Sequence, residues 1–471
     1  MERLIKVGEI KPKKSSEIKH SRIGLGFEKL DRNVFDPNKA YRFVGESGIK
    51  WARLQSGWQR TEKEKGIYDF TWLDDIVDHM IAMGVEPWLC LCYGNQLYTP
   101  DAAKYFGAVG CPPIATEEER TAWTNYVKAT VKHYHGRIHY YEVWNEPDLP
   151  YAWKHGVNPQ ELSDFTVATA KACKEADPDC EVLGFVLANK KSAEYREALC
   201  ATGVCDVLDG ITYHGYHVSD DSFEEAFNTY DKVRQTYKPS LKIIQGESGT
   251  QSRGDGSGAL KKGAWTPLKQ AKFLLRHLII DLACGVEFTS YFSCMDMVEA
   301  LRGLTGDVKS YLDYGYFGVI GADFDEEGHS TGEYTPKPSY KALQSLASVF
   351  CNDYELCELP ITPTIEPSIR VIDEDDDFAQ TRHYGFSKPN GSYGLCYWMS
   401  RNILKETFES TVSLKFKKDD LPGDIRLADL RTGDIYQLTD EMIREDEEFM
   451  HLINIPVTDS PLLLTFGDFI I

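Results

Sequence analysis

Two glutamates in this chain stand at the ends of apolar stretches. The first closes Ile138-His139-Tyr140-Tyr141-Glu142-Val143-Trp144-Asn145-Glu146-Pro147-Asp148. Tyr and Val favour strands, and Pro147 cannot extend a ladder of hydrogen bonds, so a buried strand should stop by presenting Asn145 and Glu146. The second, Glu247, ends Leu241-Lys242-Ile243-Ile244-Gln245-Gly246-Glu247, roughly three βα units further on. Two carboxyl groups facing one cleft suit glycosidic bond hydrolysis. One must protonate the leaving oxygen; the other attacks the anomeric carbon, or activates water if the pair is set wider apart. The acid has to keep its proton near neutral pH, through burial and a negative neighbour. Glu146 is the candidate acid/base and Glu247 the candidate nucleophile.

Other residue types at strand ends fit such a cleft. Arg53 sits within the apolar run Gly48–Gln55 and needs a carboxylate partner, for which Glu247 is the natural choice because a positive neighbour keeps a nucleophile ionised. Glu28, closing Arg22–Glu28, can bind sugar hydroxyls or pair with a base. Asn95 and Tyr291 are candidate sugar contacts of the same kind. Trp58, Trp88 and Trp153 offer rings for a pyranose to stack on, or fill the core.

The elements that position these residues read as eight short strands alternating with helices. After strand 1, Asp36-Pro37 opens a helix, with Asp as cap and Pro in its first turn. Leu73, Ile76, Val77, Met80 and Ile81 give helical spacing that stops at Gly84, and Thr116 with Glu119 forms a capping box. Strands follow at 85–92, 138–146, 181–186, 207–214, 241–247 and 286–292. The pattern predicts an α/β fold, a (β/α)8 TIM barrel, over residues 21–352. Beyond Pro360 the grammar changes to short strands separated by Asn390-Gly391, Pro422-Gly423 and Thr432-Gly433-Asp434. Residues 353–471 therefore read as a β-sandwich accessory domain, including a strand at Ser368–Ile372. Residues 1–20 form an N-terminal segment whose Leu4–Val7 can add a strand to it.

Composition narrows the partners. The chain has 471 residues and a net charge of −21, which disfavours nucleic acid and anionic membrane surfaces. Its most apolar stretch, Phe273–Cys284, is broken by charges and too short to span a membrane. The N-terminus lacks an apolar signal core, and twelve scattered cysteines read as buried thiols, so the expected location is cytoplasmic. Neither a metal nor a cofactor is expected. His133, His135 and His139 lack zinc spacing, and Asp323–Gly328 starts like a calcium loop but has Tyr334 where the closing Glu belongs. Asp373–Asp377 reads as a solvated turn, and Gly254–Gly258 as a mobile loop after the second glutamate strand.

Trp144-Asn145-Glu146-Pro147 and Gly246-Glu247 resemble the two catalytic motifs of the clan A glycoside hydrolases. From about Arg22 to Phe350 the chain is most similar to glycoside hydrolase family 39, which holds β-xylosidases and α-iduronidases. The resemblance implies retention of configuration, Glu146 as acid/base, Glu247 as nucleophile and a C-terminal β-sandwich. It implies that Asn145 bonds the sugar 2-hydroxyl, and that His214-Gly215-Tyr216, which resembles a strand 6 motif of the clan, presents His214 and Tyr216 to the nucleophile or the sugar. The expected activity is an exo-acting β-glycosidase on oligosaccharides. An endo-acting glycanase of the family 5 type, a transglycosylase and a non-catalytic carbohydrate-binding barrel are the alternatives. A homo-oligomer is compatible with the sequence.

Overall fold

A computed structural model of the chain describes residues 4–188, 193–359, 366–367, 380–418 and 421–470. The strand expected at Ser368–Ile372 and the turn at Asp373–Asp377 lie outside them. After an N-terminal strand β1 (Ile5–Glu9), eight parallel strands close into a barrel. They are β2 (Ile23–Gly26), β3 (Trp51–Gln55), β4 (Glu86–Leu91), β5 (Tyr140–Val143), β6 (Glu181–Leu187), β7 (Gly210–His214), β8 (Lys242–Ser248) and β9 (Thr289–Tyr291). β9 pairs back onto β2, Ser290 opposite Gly24, which closes the ring.

Local signals set the helices between them. The Asp36 side chain accepts the Asn38 N–H at 3.0 Å ahead of the Pro37–Glu46 helix. Thr116 and Glu119 cap the Glu117–His133 helix reciprocally. The Thr71–Ala82 helix ends before Gly84, which is left-handed with φ +76.

The barrel interior is layered, because successive side chains of a strand point to opposite faces. Trp88, Tyr140, Leu183, Ile244 and Phe288 form an apolar floor, with Trp51 packed against it. Two residues on along β3 and β5, Arg53 and Glu142 occupy the layer above. Gly246 on β8 leaves them room, since a Cβ there would lie 3.3 Å from Glu142 Oε1 and 3.5 Å from the Trp88 ring.

The C-terminal part holds two antiparallel sheets. The larger runs β1, Asp434–Gln437, Ile425–Asp429, Leu462–Phe466, Tyr393–Ser400, Gln380–Ser387 and Glu355–Leu356; the smaller runs Glu366–Pro367, Glu409–Lys417, Phe449–Thr458 and Ile443–Glu445. The strand Tyr393–Ser400 is buried on both faces. Leu395 and Tyr397 face Val412, Leu414 and Phe416 of the second sheet, while Cys396 and Trp398 join the barrel's core. The barrel helix Pro267–Cys284 completes this junction. Lys272 Nζ binds both Asp459 carboxylate oxygens at 2.8 Å, and Arg276 donates to the carbonyls of Met399, Arg401 and Asp459.

The would-be calcium loop is the turn of a hairpin, Ile320–Phe324 with Ser330–Pro336. There Asp325 Oδ1 accepts the N–H groups of Glu327 and His329 at 3.0 and 2.9 Å. Among the described residues, no helix is long and apolar enough to cross a membrane.

Candidate active site

The two glutamates of the motifs meet at the C-terminal mouth of the barrel. After β5 the chain leaves extended geometry: Trp144 has φ 67 and Glu146 φ 51, left-handed values that non-glycine residues adopt at a cost of about 1–3 kcal/mol each. The surroundings hold this turn in place. Trp144 is fully buried among Tyr93, Trp123, Trp153 and Phe165, and its indole donates to Ala152 O at 2.8 Å. The Glu146 N–H donates to Val186 O at 3.0 Å, where β6 bulges. The outcome is that Glu146 turns inward toward β7 and β8.

There His214 Nδ1 lies 2.9 Å from Glu146 Oε1 and 3.8 Å from Glu247 Oε1. One oxygen of each glutamate and a ring nitrogen of His214 all lie within 4.8 Å of one another. Two carboxylates and an imidazole form a donor set that a divalent cation could use, and equally a carboxyl pair at the spacing glycoside chemistry needs. Glu247 is gripped from two sides. Tyr216 donates its hydroxyl to Oε1 at 2.5 Å, and Arg53 Nη1 donates to Oε2 at 2.6 Å.

Arg53 is the hub of the site. Its side chain has no solvent exposure and lies over the Trp88 ring. Nη1 also donates to Glu28 Oε1 at 2.8 Å, Nε to Glu142 Oε2 at 2.9 Å, and Nη2 to Glu142 and to Asn145 Oδ1. One guanidinium therefore meets three carboxylates and orients Asn145, whose amide donates to Tyr93 Oη at 2.9 Å. The remaining Glu142 oxygen accepts from Thr212 at 2.6 Å.

These contacts separate the proton affinities of the two glutamates. Burial pushes the Glu146 carboxyl up, with the charges of Glu247 and Asp148 adding to it and His214 opposing. Burial would raise Glu247 as well, but His214, Arg53, the Tyr216 hydroxyl and Lys29 outweigh it and hold Glu247 below the ordinary carboxylate range. His214 is raised: burial opposes its charge, and the two glutamates more than compensate.

Of the residues singled out in the sequence, Glu28, Arg53, Asn145, Glu146, His214, Tyr216 and Glu247 form one connected cluster. Asn95 and Tyr291 do not join it. Asn95 is buried with its amide spent on its own loop, donating to Glu62 O at 2.8 Å and accepting from Leu97 N at 2.9 Å. Tyr291 is fully buried, its hydroxyl 3.5 Å from Thr250 O. Trp58, Trp88 and Trp153 are core residues with at most 1% exposure, so none offers a ring to a sugar.

Sequence reasoning passed over Glu142, Tyr93, Thr212 and the Lys29–Glu299 pair. Glu142 carried a usable signal, a carboxylate within the apolar strand Tyr140–Val143 that had to find a buried partner. Lys29 Nζ lies 3.3 Å from Glu299 Oε1, both nearly buried, and burial lifts Glu299 to about 7. The loops after β4 and β9 wall the mouth together: Thr305 N donates to Lys104 O at 3.0 Å, and Phe106 stacks on Tyr311 with centroids 4.3 Å apart.

A β-xylosidase of Geobacillus stearothermophilus is 31% identical over 134 residues, which cover 26% of this chain and 25% of that relative's length. Among solved structures, a family 39 glycoside hydrolase from the gut symbiont Bacteroides cellulosilyticus WH2 shares the fold with a TM-score of 0.65, at 16% identity over 95% of this chain and 81% of that one. A monomeric β-xylosidase from Caulobacter crescentus CB15 does so with a TM-score of 0.57, at 17% identity over 98% and 97% of the two chains. The sequence profile of the family matches residues 38–349, from the barrel's first helix to its last, and the chain belongs to the glycosyl hydrolases family 39.

Proposed function

We propose that this protein is a retaining, exo-acting β-glycosidase of the β-xylosidase kind, working by double displacement on oligosaccharides or glycosides. The observation that carries the reading is the pair Glu146–Glu247, with oxygens inside 4.8 Å and proton affinities driven in opposite directions. A pair this close falls on the short side of the two carboxyl spacings and suits direct attack by one carboxylate, the retaining geometry. In this reading Glu247, held ionised by Arg53, Tyr216 and His214, attacks the anomeric carbon while Glu146 gives its proton to the leaving oxygen. The sugar becomes esterified to Glu247. Glu146, now ionised, takes a proton from water, which attacks the anomeric carbon and frees Glu247. His214, hydrogen-bonded to Glu146, follows that change of charge. Asn145 is held by Arg53 and Tyr93 with its amide beside the acid, a position suited to the sugar's 2-hydroxyl.

The linked loops after β4 and β9 support a closed pocket, and so release of single sugars from chain ends. The β-xylosidase relative supports xylose as the sugar. Free thiols at all twelve cysteines, ten of them buried, support a reducing compartment such as the cytoplasm.

The test is Glu247→Ala with an activated aryl β-xyloside and azide. The expected outcome is loss of hydrolysis by several orders of magnitude and rescue by azide, giving an α-xylosyl azide. Undiminished hydrolysis in that variant would refute the assignment. Turnover by the wild type of aryl glucosides or arabinosides in preference to xylosides would redirect the sugar.

A further inference from the structure

Glu28 has a place in the site that sugar binding does not explain. It is 1% exposed, and its Oε1 accepts from the same guanidinium nitrogen, Arg53 Nη1, that holds Glu247 Oε2. The two distances, 2.8 and 2.6 Å, make Glu28 and Glu247 rivals for one nitrogen. Glu28 Oε2 is buried without a hydrogen-bond partner. A buried charged oxygen with no donor is far costlier than the same oxygen carrying a proton.

We propose that Glu28 is a positioning residue for the nucleophile, whose own ionisation decides how much of Arg53's positive charge reaches Glu247. This rests on the double-displacement reading above. While neutral, Glu28 takes only a weak share of Nη1, and Arg53 stabilises Glu247 as an anion, which makes it a good leaving group from the glycosyl-enzyme. Once ionised, Glu28 draws Nη1 to itself and the departing carboxylate is less well stabilised. The charged groups facing Glu28 are Arg53 from β3, Glu247 from β8 and His214 from β7, with Glu142 beyond Arg53. Burial and the charge of Glu247 lift Glu28 to about 8 in the free enzyme. In the glycosyl-enzyme Glu247 is an uncharged ester, so that repulsion is gone and Glu28 ionises at lower pH.

The consequence can be read where hydrolysis of the intermediate limits turnover, with a dinitrophenyl glycoside that needs no acid to leave. In that step Glu146 acts as a base, so its ionisation cannot slow turnover as pH rises. The wild type should nonetheless lose kcat on the alkaline side through one ionisation below about 8. The loss should be on the order of tenfold, matching about a tenfold rise in the leaving carboxylate's proton affinity. Glu28→Gln keeps an oxygen for Nη1 and cannot ionise, so its kcat should stay flat through the same range. A wild-type profile without an alkaline limb, or a Glu28→Gln profile that keeps the wild-type limb, would overturn the proposal. The wild-type profile decides alone if the variant does not fold. Trapping with a 2-fluoro sugar and intact-mass analysis separates the two levels. No covalent adduct on the wild type defeats the double-displacement reading, whereas an adduct with unaltered profiles defeats only the role of Glu28.

Discussion

Replacing Arg53 by Met tests whether one guanidinium holds the site together. Met keeps much of the length and none of the charge. The change removes hydrogen bonds to Glu28, Glu142, Asn145 and Glu247 from a position with no solvent exposure. Removing one partner of a buried ion pair costs about 3–5 kcal/mol, because the other charge is left behind. Several carboxyl groups lose the same partner here, but a carboxylate can escape by taking up a proton, at about 1.4 kcal/mol for every tenfold change in proton affinity, so we expect about 4 kcal/mol rather than separate losses. The sign of the pH dependence follows from Glu247. In the wild type its value lies below that of the unfolded chain, so the stability it contributes is present above the unfolded value and lost as pH falls through the folded one. Without Arg53 the value rises, because one of the charges that offset burial is gone. The resulting deficit is full above the variant's value and fades as pH falls from there to the wild type's lowered one. Guanidinium denaturation followed by tryptophan fluorescence should therefore show the two proteins converging on acidification. Hydrolysis of an aryl xyloside near neutral pH should fall by about 10²–10³ in kcat/KM, equivalent to about 3–4 kcal/mol of lost transition-state stabilisation. A deficit that stays constant or grows on acidification would refute the reasoning, as would kcat/KM within about threefold of the wild type.

Two further changes probe the acid and the domain junction. Glu146→Ala should lower kcat/KM by about 10²–10⁴ for substrates with poor leaving groups and far less for dinitrophenyl glycosides, and the alkaline limb of kcat/KM should disappear; equal losses for both substrate types would remove Glu146 from the acid role. Asp459→Asn should destabilise the protein by about 3–5 kcal/mol, because Lys272 is then buried without its counter-charge, while the folded enzyme keeps its kcat; an unchanged denaturation midpoint would show that the ion pair contributes nothing net.

The barrel was legible because each of its strands is an apolar run, and a parallel strand covered on both faces has no polar alternation to blur it. The caps at Asp36 and Thr116 were legible because capping is a local affair, settled within about four residues. Glu146 and Glu247 stood out as carboxylates just where a strand stops. Glu142 did not, although Arg53 donates to it from two nitrogens. Its side chain points into the barrel's second layer, and its role depends on Arg53, 89 positions away, and on Thr212, 70 positions away. Asn95 and Tyr291 show the converse error. Each follows or ends a barrel strand, but the turn after β4 folds the Asn95 amide onto its own backbone, and the Tyr291 hydroxyl points toward Thr250. Strand-end position is readable from sequence; the direction of a side chain in an irregular loop is set by contacts that no periodicity announces.

The pairing of β1 with Asp434–Gln437 bears on how the protein is made. β1 precedes the barrel and its partner follows it, so β1 must wait while the entire barrel is synthesised. At about 5–20 residues per second that interval is roughly 20 to 90 seconds. Throughout it β1 offers an unsatisfied edge carrying Ile5 and Val7, both still exposed in the finished protein. The accessory domain is thus stitched from segments on both sides of the barrel, and its larger sheet cannot close until the barrel has been made. Pauses between the barrel and Asp434 would prolong the vulnerability of that strand, and chaperones that bind extended apolar segments would find it the natural place to hold.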